Sequence, residues 1–371
     1  MGLNFGIKDN LFPHSQKFET GLGKVRAGQA TIIVAQDGSG DTDSIQEGVN
    51  LLPSGGGVVY IKEGNYILST SITIDKSNVS LTGAGKSTII TLNADAPIIT
   101  AVSKDYITIE NMFLQGSNNA AYTTNDGVYL YEGDYCILSH LWINQTGRYG
   151  INFRYSGASI ITENFVTNSK SDGIYVYDLW ESVVSNNIVH DNGGEGIHIR
   201  DGTDSIIESN MIEGSTLNGL KIAQTGYTVI NNNACYSNTQ SGIYNYVSLY
   251  CTMNGNICRG NTRHGIHCYQ GDYNSITGNV CIANDVANSA SYDGIILEEV
   301  WYTTISANRC AENDRYEINN SDAWCDRNII MNNICYGADH VGAINDSGTN
   351  TYPNGASGTT NLALDDLNII A

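Results

Sequence analysis

The sequence predicts an all-β fold, a single-stranded parallel β-helix in which each turn of about 23 residues stacks on the last. Three observations predict it. Gly127, Gly150, Gly173, Gly196, Gly219, Gly242 and Gly265 recur at intervals of 23 residues. Asn164, Asn187, Asn210, Asn233, Asn256 and Asn279 hold a second register with the same 23-residue step, continued by Asn308 and Asn333. One and three residues after each glycine the side chain is usually apolar; two and four residues after, it is polar or aromatic. That alternation marks a strand with one buried face. No single coil carries enough apolar surface to fold alone, so stacking must supply the core.

Taken in order, residues 1–30 fall outside the repeat and read as an arm. Within 31–57, Ser44-Ile-Gln-Glu47 has the pattern of a capping box. Ile45, Val49 and Leu52 then share one helical face and Pro53 follows, so residues 43–52 are predicted as a short helix plugging the first open end. Val58–Ile61, Ile72–Ile74, Val79–Leu81 and Tyr106–Ile109 begin the strands of a solenoid that runs over 58–346. Gly294 follows Gly265 after 29 residues, which places a six-residue insertion near Val286–Tyr292. Residues 347–371 read as a capping tail. An asparagine at one bend of every coil can both donate and accept, and so form a ladder that satisfies buried backbone. Cys235, Cys258, Cys281, Cys310 and Cys335 share a register filled earlier by Val166, Val189 and Ile212, so they read as small core residues.

Composition narrows the partners. The 371 residues carry a formal net charge of −20, which argues against a nucleic acid. It leaves open an anionic polysaccharide met by locally clustered basic groups. No run of 18 apolar residues is present, so no membrane insertion is expected. The start lacks the pattern of a secretory signal; an extracellular or virion-associated protein is expected, its leader removed or its export by another route. The nine cysteines include no CxxC pair, which disfavours a zinc site.

The Gly-Ile-x-x-x and Asn-x-x-x-x-Asn coils resemble the parallel β-helix repeats of the pectate-lyase-like superfamily over roughly Thr31 to Ile344. The resemblance implies a right-handed winding with three short sheets. It covers lyases, hydrolases, esterases, epimerases and phage tailspikes, so it implies no single activity. The opening stretch also resembles the start of pectin methylesterases. That family's Gly-x-Asp-Phe-Ile-Phe-Gly motif is missing here, as is the Asp-Pro-His motif of alginate epimerases.

The fixed register sorts outward residues into columns about 4.8 Å apart. Two residues after each glycine stand Tyr129, Asn152, Tyr175, His198, Lys221, Tyr244 and His267; four after stand Tyr131, Arg154, Tyr177, Arg200, Ala223, Tyr246 and Tyr269. Arg148 and Arg263 border the same face. Tyrosines give flat apolar surface for sugar rings, and arginine can clamp a uronate carboxylate; alternatively, the columns are polar cover for an exposed sheet. Asp178 and Trp180 extend the candidate binding face. Trp301 stands in the register of Trp180.

β-Elimination from a uronate needs a neutraliser for the carboxylate, a base for the C5 proton and an acid for the leaving oxygen. Arg200 could neutralise, Lys221 or His198 could be the base, and Tyr175 or Tyr177 the acid. The resemblance implies similar sets in the superfamily's lyases and epimerases. Asp172 and Glu195, each just before a glycine, could instead hold Ca2+ or act as a glycosidase pair. The expected function is therefore a polysaccharide-active enzyme, foremost a lyase. A glycan-binding β-helix without activity and a glycoside hydrolase are the alternatives.

Overall fold

A computed structural model describes residues 30–117, 119–286, 289–337, 341–351 and 368–370. The expected arm, residues 1–30, lies outside the described residues except for Ala30, as does most of the expected tail. Among the described residues every strand pairing is parallel, and the strands form one sheet of 12 and one of 24. The larger is two stacks joined where strands Thr108–Gln115 and Ile137–Asn144 run on through a bend. Ile137–Ser139 pairs with Ile160–Thr162, while Trp142–Asn144 pairs with Phe165–Thr167. Each later coil therefore contributes three short strands, one to each stack.

The N-terminal cap forms for the reasons its sequence suggests. The helix spans Ile45–Leu51, and the Ser44 hydroxyl accepts from the Glu47 backbone N–H. Ile45, Val49 and Leu52 are buried against the first rungs. The Glu47 carboxylate does not return directly to Ser44. It accepts from the Thr42 hydroxyl at 2.7 Å, which in turn accepts from the Ser44 N–H. The segment also contributes a strand, Ala30–Val34, which pairs with Gly57–Ile61 as the first rung.

Two devices set the coil. Glycine precedes eight strands of the 12-stranded sheet, from Val128–Tyr131 to Ile295–Glu298, because the coils approach closely there. A Cβ on Gly196 would lie 2.2 Å from the Ile212 side chain and 2.7 Å from the Gly219 carbonyl oxygen. At another bend, the asparagines form the expected ladder. Asn233 Nδ2 donates to Asn256 Oδ1 at 3.0 Å, and Asn256 Nδ2 to Asn279 Oδ1 at 2.9 Å. Each also donates to a carbonyl within the solenoid, as Asn256 does to Ile230 at 2.8 Å. A second ladder runs through Asn238, Asn261, Asn284 and Asn313. It ends on Glu317, whose carboxylate accepts from Asn313 Nδ2. The insertion wraps the buried Asp285 carboxylate, which accepts from the Ser289 hydroxyl and the Ser291 and Tyr292 N–H groups.

The interior is apolar at the expected positions, and all nine cysteines are free and buried. The Cys235–Cys335 column stacks in register as core. Burial pushes the Cys136 thiol up to about 12, far from reactive thiolate character. Asn245 breaks the pattern: it stands between Ile222 and Cys268 in an inward register, wholly buried, and neither amide atom meets a stronger partner than the Cys268 thiol. An unsatisfied buried polar group costs about 1–3 kcal/mol. Asn245→Val should therefore raise the melting temperature; an unchanged or lower value would contradict this. Among the described residues no helix is long and apolar enough to cross a membrane.

A third aromatic feature runs along the outside. Tyr227, Tyr250, Tyr273 and Tyr302 stack ring on ring at 4.8–5.0 Å, and the Arg327 guanidinium covers the last ring at 5.3 Å. All occupy left-handed backbone, with φ from 51° to 57°. Their faces are spent on one another, so the ladder stiffens the turn rather than offering platforms to a ligand.

Candidate active site

The middle coils bring the chemistry together. Strands Ile174–Trp180, Ile197–Arg200 and Leu220–Ala223 pair so that Tyr175, His198 and Lys221 stand side by side, with Tyr177 and Arg200 in the next row. The Tyr175 ring stacks on Tyr149 at 4.8 Å, has the Arg154 guanidinium over it at 5.1 Å and meets the His198 ring edge at 5.2 Å. Burial raises the Tyr175 and Tyr149 phenols above their ordinary range, so both keep their protons at neutral pH. Arg200 is about half exposed, lies over Tyr177 at 5.8 Å and pairs with Asp201 at 3.2 Å.

The carboxylates orient these groups. Asp172 Oδ2 lies 3.2 Å from His198 Nδ1, and its Oδ1 accepts from the Glu195 N–H at 2.8 Å. Glu195 Oε1 lies 3.2 Å from Lys221 Nζ, and its Oε2 accepts from the Asn218 N–H at 2.6 Å. The pattern recurs: at several coils the side chain before the glycine meets the side chain two after the glycine of the next coil. Tyr149 with Tyr175 and Asp126 with Asn152, at 2.8 Å, obey it too. A calcium ion takes six to eight oxygen ligands. Asp172 and Glu195 are buried with both oxygens of each already engaged by the chain, so they do not fit that role. Nor do they suit a glycosidase pair, which must face the sugar. No group of three or more His, Cys, Asp and Glu placed to hold a metal occurs among the described residues.

Several expected binding residues sit elsewhere than anticipated. Asn152 is wholly buried: it donates to Asp126, which also holds Arg148 in a bidentate pair, and Arg154 Nε donates to Asn152 Oδ1 at 2.9 Å. Arg148 is thus consumed in structure, and Ala223 is buried. Tyr129, Tyr131 and Tyr177 stay partly exposed, bridged by Tyr155, whose ring lies 5.2 Å from Tyr131 and 5.1 Å from Tyr177. Asp178 takes the left-handed turn beyond Tyr177, with φ 56°. Trp180 lies across Gly157 of the preceding coil, where a Cβ would strike its indole.

Farther along, Tyr244 packs on His267 at 4.8 Å, Tyr246 on Tyr269 at 5.8 Å, and His267 Nε2 lies 2.9 Å from Glu298. This hydrogen bond holds the Glu298 carboxyl below its ordinary range. The neighbouring His264 is buried and accepts at Nδ1 from the Asp293 N–H at 3.0 Å. Burial, with His267 and Arg315 nearby, drives its pKa well down, so it stays neutral.

The family pattern described as "Right handed beta helix region" matches residues 126–281, the coils that carry this face. The chain is a right-handed parallel β-helix repeat protein. The β-helix is similar to the A-module of the mannuronan C-5 epimerase AlgE6 of Azotobacter vinelandii. The TM-score is 0.71 at 18% identity, over 88% of this chain and 94% of that one. It is also similar to the Dettilon tailspike protein (gp208), with a TM-score of 0.62 at 15% identity over 79% of this chain and 64% of that one. Residues 206–364 match the pattern named "Periplasmic copper-binding protein (NosD)" and residues 31–115 the pectinesterase pattern. A probable pectinesterase/pectinesterase inhibitor of Arabidopsis thaliana is 32% identical over 100 residues, 24% of this chain and 19% of that protein's length.

Sequence reasoning missed a clamp at the far end of the β-helix face. Arg315 makes a bidentate pair with Asp293, and Asn319 Nδ2 donates to Asp293 at 3.0 Å. This repeats the Asp126–Arg148–Asn152 arrangement at the near end. The signal was present: Asp-Gly followed 22 residues later by Arg-Tyr occurs at both Asp126 and Asp293. Glu298 would have emerged from carrying the columns past the insertion.

Proposed function

We propose that this β-helix acts on a polysaccharide, and that its middle coils cleave an acidic, uronate-containing chain by β-elimination. The observation that carries the reading is the row Tyr175–His198–Lys221, each basic member backed by a buried carboxylate of the preceding coil. With the Nδ1 proton directed at Asp172, the Nε2 lone pair of His198 is left as the base. That nitrogen has no hydrogen-bond partner in the chain and is covered in the unliganded structure, so the side chains around it, Tyr175 among them, must part for a substrate C–H to reach it. Lys221 and Arg200 neutralise the uronate carboxylate, which makes the C5 proton acidic. As His198 takes that proton, the C4–C5 double bond forms, the C4–O4 bond breaks and Tyr175 protonates the departing oxygen. Asp172 and Glu195 are positioning residues. The flanking Tyr129, Tyr131, Tyr177, Arg154, Tyr244, Tyr246, His267 and Tyr269, with Asp178 and Trp180 at the border, hold neighbouring sugars. A polymer substrate of this kind places the protein outside the cytoplasm, in an extracellular, periplasmic or virion setting.

The test is incubation with pectate, mannuronan and other uronate polymers, followed by ultraviolet absorbance of the unsaturated product. A rise that His198→Ala removes is expected. Deuterium at C5 without unsaturated ends would make the chain an epimerase, which shares the first proton transfer. Binding without either product would reduce it to a glycan-binding β-helix and overturn the proposed elimination.

A further inference from the structure

We propose that the cleft between Trp301 and Trp324, at the C-terminal end of the face, is a separate binding site for an uncharged sugar ring. This rests on the carbohydrate reading of the face but not on elimination chemistry. Gln270, Asp272, Glu299, Trp301 and Trp324 line a cavity of about 190 Å³. That is room for about six waters, and less than the 300–1,000 Å³ of pockets for larger ligands, so it suits a single ring. Trp301 is 44% exposed and Trp324 is 70% exposed. Large exposed aromatic surface that meets polar groups in a concavity is the usual mark of a ligand site.

The Trp301 ring is held in place, and the backbone that carries Trp324 is fixed. The Trp301 indole N–H donates to the Trp324 carbonyl, and the Trp301 backbone N–H donates to Asp272 Oδ1 at 2.8 Å. The Trp324 N–H donates to Asp322 Oδ1 at 2.8 Å, which fixes the turn that carries it. Gln270 Nε2 donates to Glu299 Oε2 at 2.6 Å, so the amide and carboxylate form one rigid polar wall. Indole faces receive the C–H face of a pyranose, while carboxylate and amide oxygens accept from its hydroxyls.

Charge decides the class of sugar. Asp272 and Glu299 line the cleft, and the neighbouring Glu298 and Asp322 add to the same sign. A uronate carboxylate would meet uncompensated repulsion here, whereas the middle coils offer Arg154, Arg200 and Lys221. Arg200 and Glu298 occupy one column four coils apart, about 19 Å at the spacing of stacked strands. One face thus presents two chemistries, as a heteropolysaccharide carrying both acidic and neutral residues would require.

Titration of the whole protein with xylohexaose, maltohexaose, cellohexaose and hexagalacturonate, read by intrinsic tryptophan fluorescence, tests this. At least one neutral hexasaccharide should change the emission, Trp324→Ala should weaken that binding at least tenfold, and Lys221→Ala should leave it intact. Circular dichroism of Trp324→Ala should be unchanged, because the ring is exposed. The proposal is overturned if no neutral oligosaccharide binds, if Trp324→Ala binds as before, or if hexagalacturonate alone depends on Trp324. Neutral binding that survives in a protein with no lyase activity would sink the elimination reading and leave this site standing.

Discussion

His198→Ala should lower the rate of uronate elimination by about 10²–10⁴-fold, the usual worth of a positioned general base, with little change in KM. The side chain is mostly covered and lies in a row whose strand pairing is backbone to backbone, so the fold should survive. Lys221→Ala should act differently. Its ammonium meets the substrate carboxylate both before and during proton transfer, so KM should rise as kcat falls. Asp172→Asn tests the positioning role. The residue is buried beneath His198 and does not face the substrate. It should lower kcat while KM stays near that of the wild type. Wild-type kinetics for both His198→Ala and Lys221→Ala would remove the proposed site altogether. Equal loss of kcat alone in both would mean that Lys221 does not bind the ground-state carboxylate.

Stability of the C-terminal coils should fall as the pH rises through about 7, and Glu317→Gln should abolish most of that fall. Glu317 stands where the preceding coils have their recurrent glycine, pairs its strand with the coil of Gly294 and is wholly buried. One carboxylate oxygen ends the second asparagine ladder by accepting from Asn313, while the other has no partner. Burial raises its pKa from 4.5 to about 7. The native state therefore holds the proton more tightly than the unfolded chain does. Its contribution is fully present below about pH 4.5 and is lost as the pH passes about 7. The shift corresponds to about 3 kcal/mol at full ionisation. In a solenoid the loss is felt first by the neighbouring coils rather than the whole molecule. Hydrogen exchange across residues 309–346 at pH 6 and pH 9, taken as protection relative to the intrinsic amide rate at each pH, should show it, with weaker protection at pH 9. Gln keeps an acceptor for Asn313 without the charge, whereas Glu317→Ala removes the acceptor and should be destabilising at both values. Equal protection at the two pH values in the wild type would refute this coupling.

The period was legible because identical backbone demands recur at every coil. Only glycine fits where Gly196 nears the next carbonyl, and only a side chain that donates and accepts continues the Asn233–Asn256–Asn279 ladder. Columns followed from the period, so Tyr175, His198, Lys221 and Arg200 could be placed together without coordinates. What could not be read was the pairing between coils. A column states which residues are adjacent, but not that Asp172 turns to His198 or that Asp126 gathers Arg148 and a buried Asn152. Those choices depend on side-chain reach across a bend, and they converted two supposed ligands into supports. Trp324 was invisible for another reason: it lies in the turn Ser321–Cys325, outside both registers.

Since Asp126, Asp172, Glu195 and Asp293 each serve the coil after their own, the functional unit of this face is the seam between repeats, not the repeat. Excising residues 196–218, one complete 23-residue period, would leave every later register in phase. Asp172 would then lie beneath Lys221 in place of His198. Loss or duplication of whole coils in this lineage would thus reshuffle acid–base partners without disturbing the scaffold, a combinatorial route to new reactivity that point substitution in a conventional globular core does not offer.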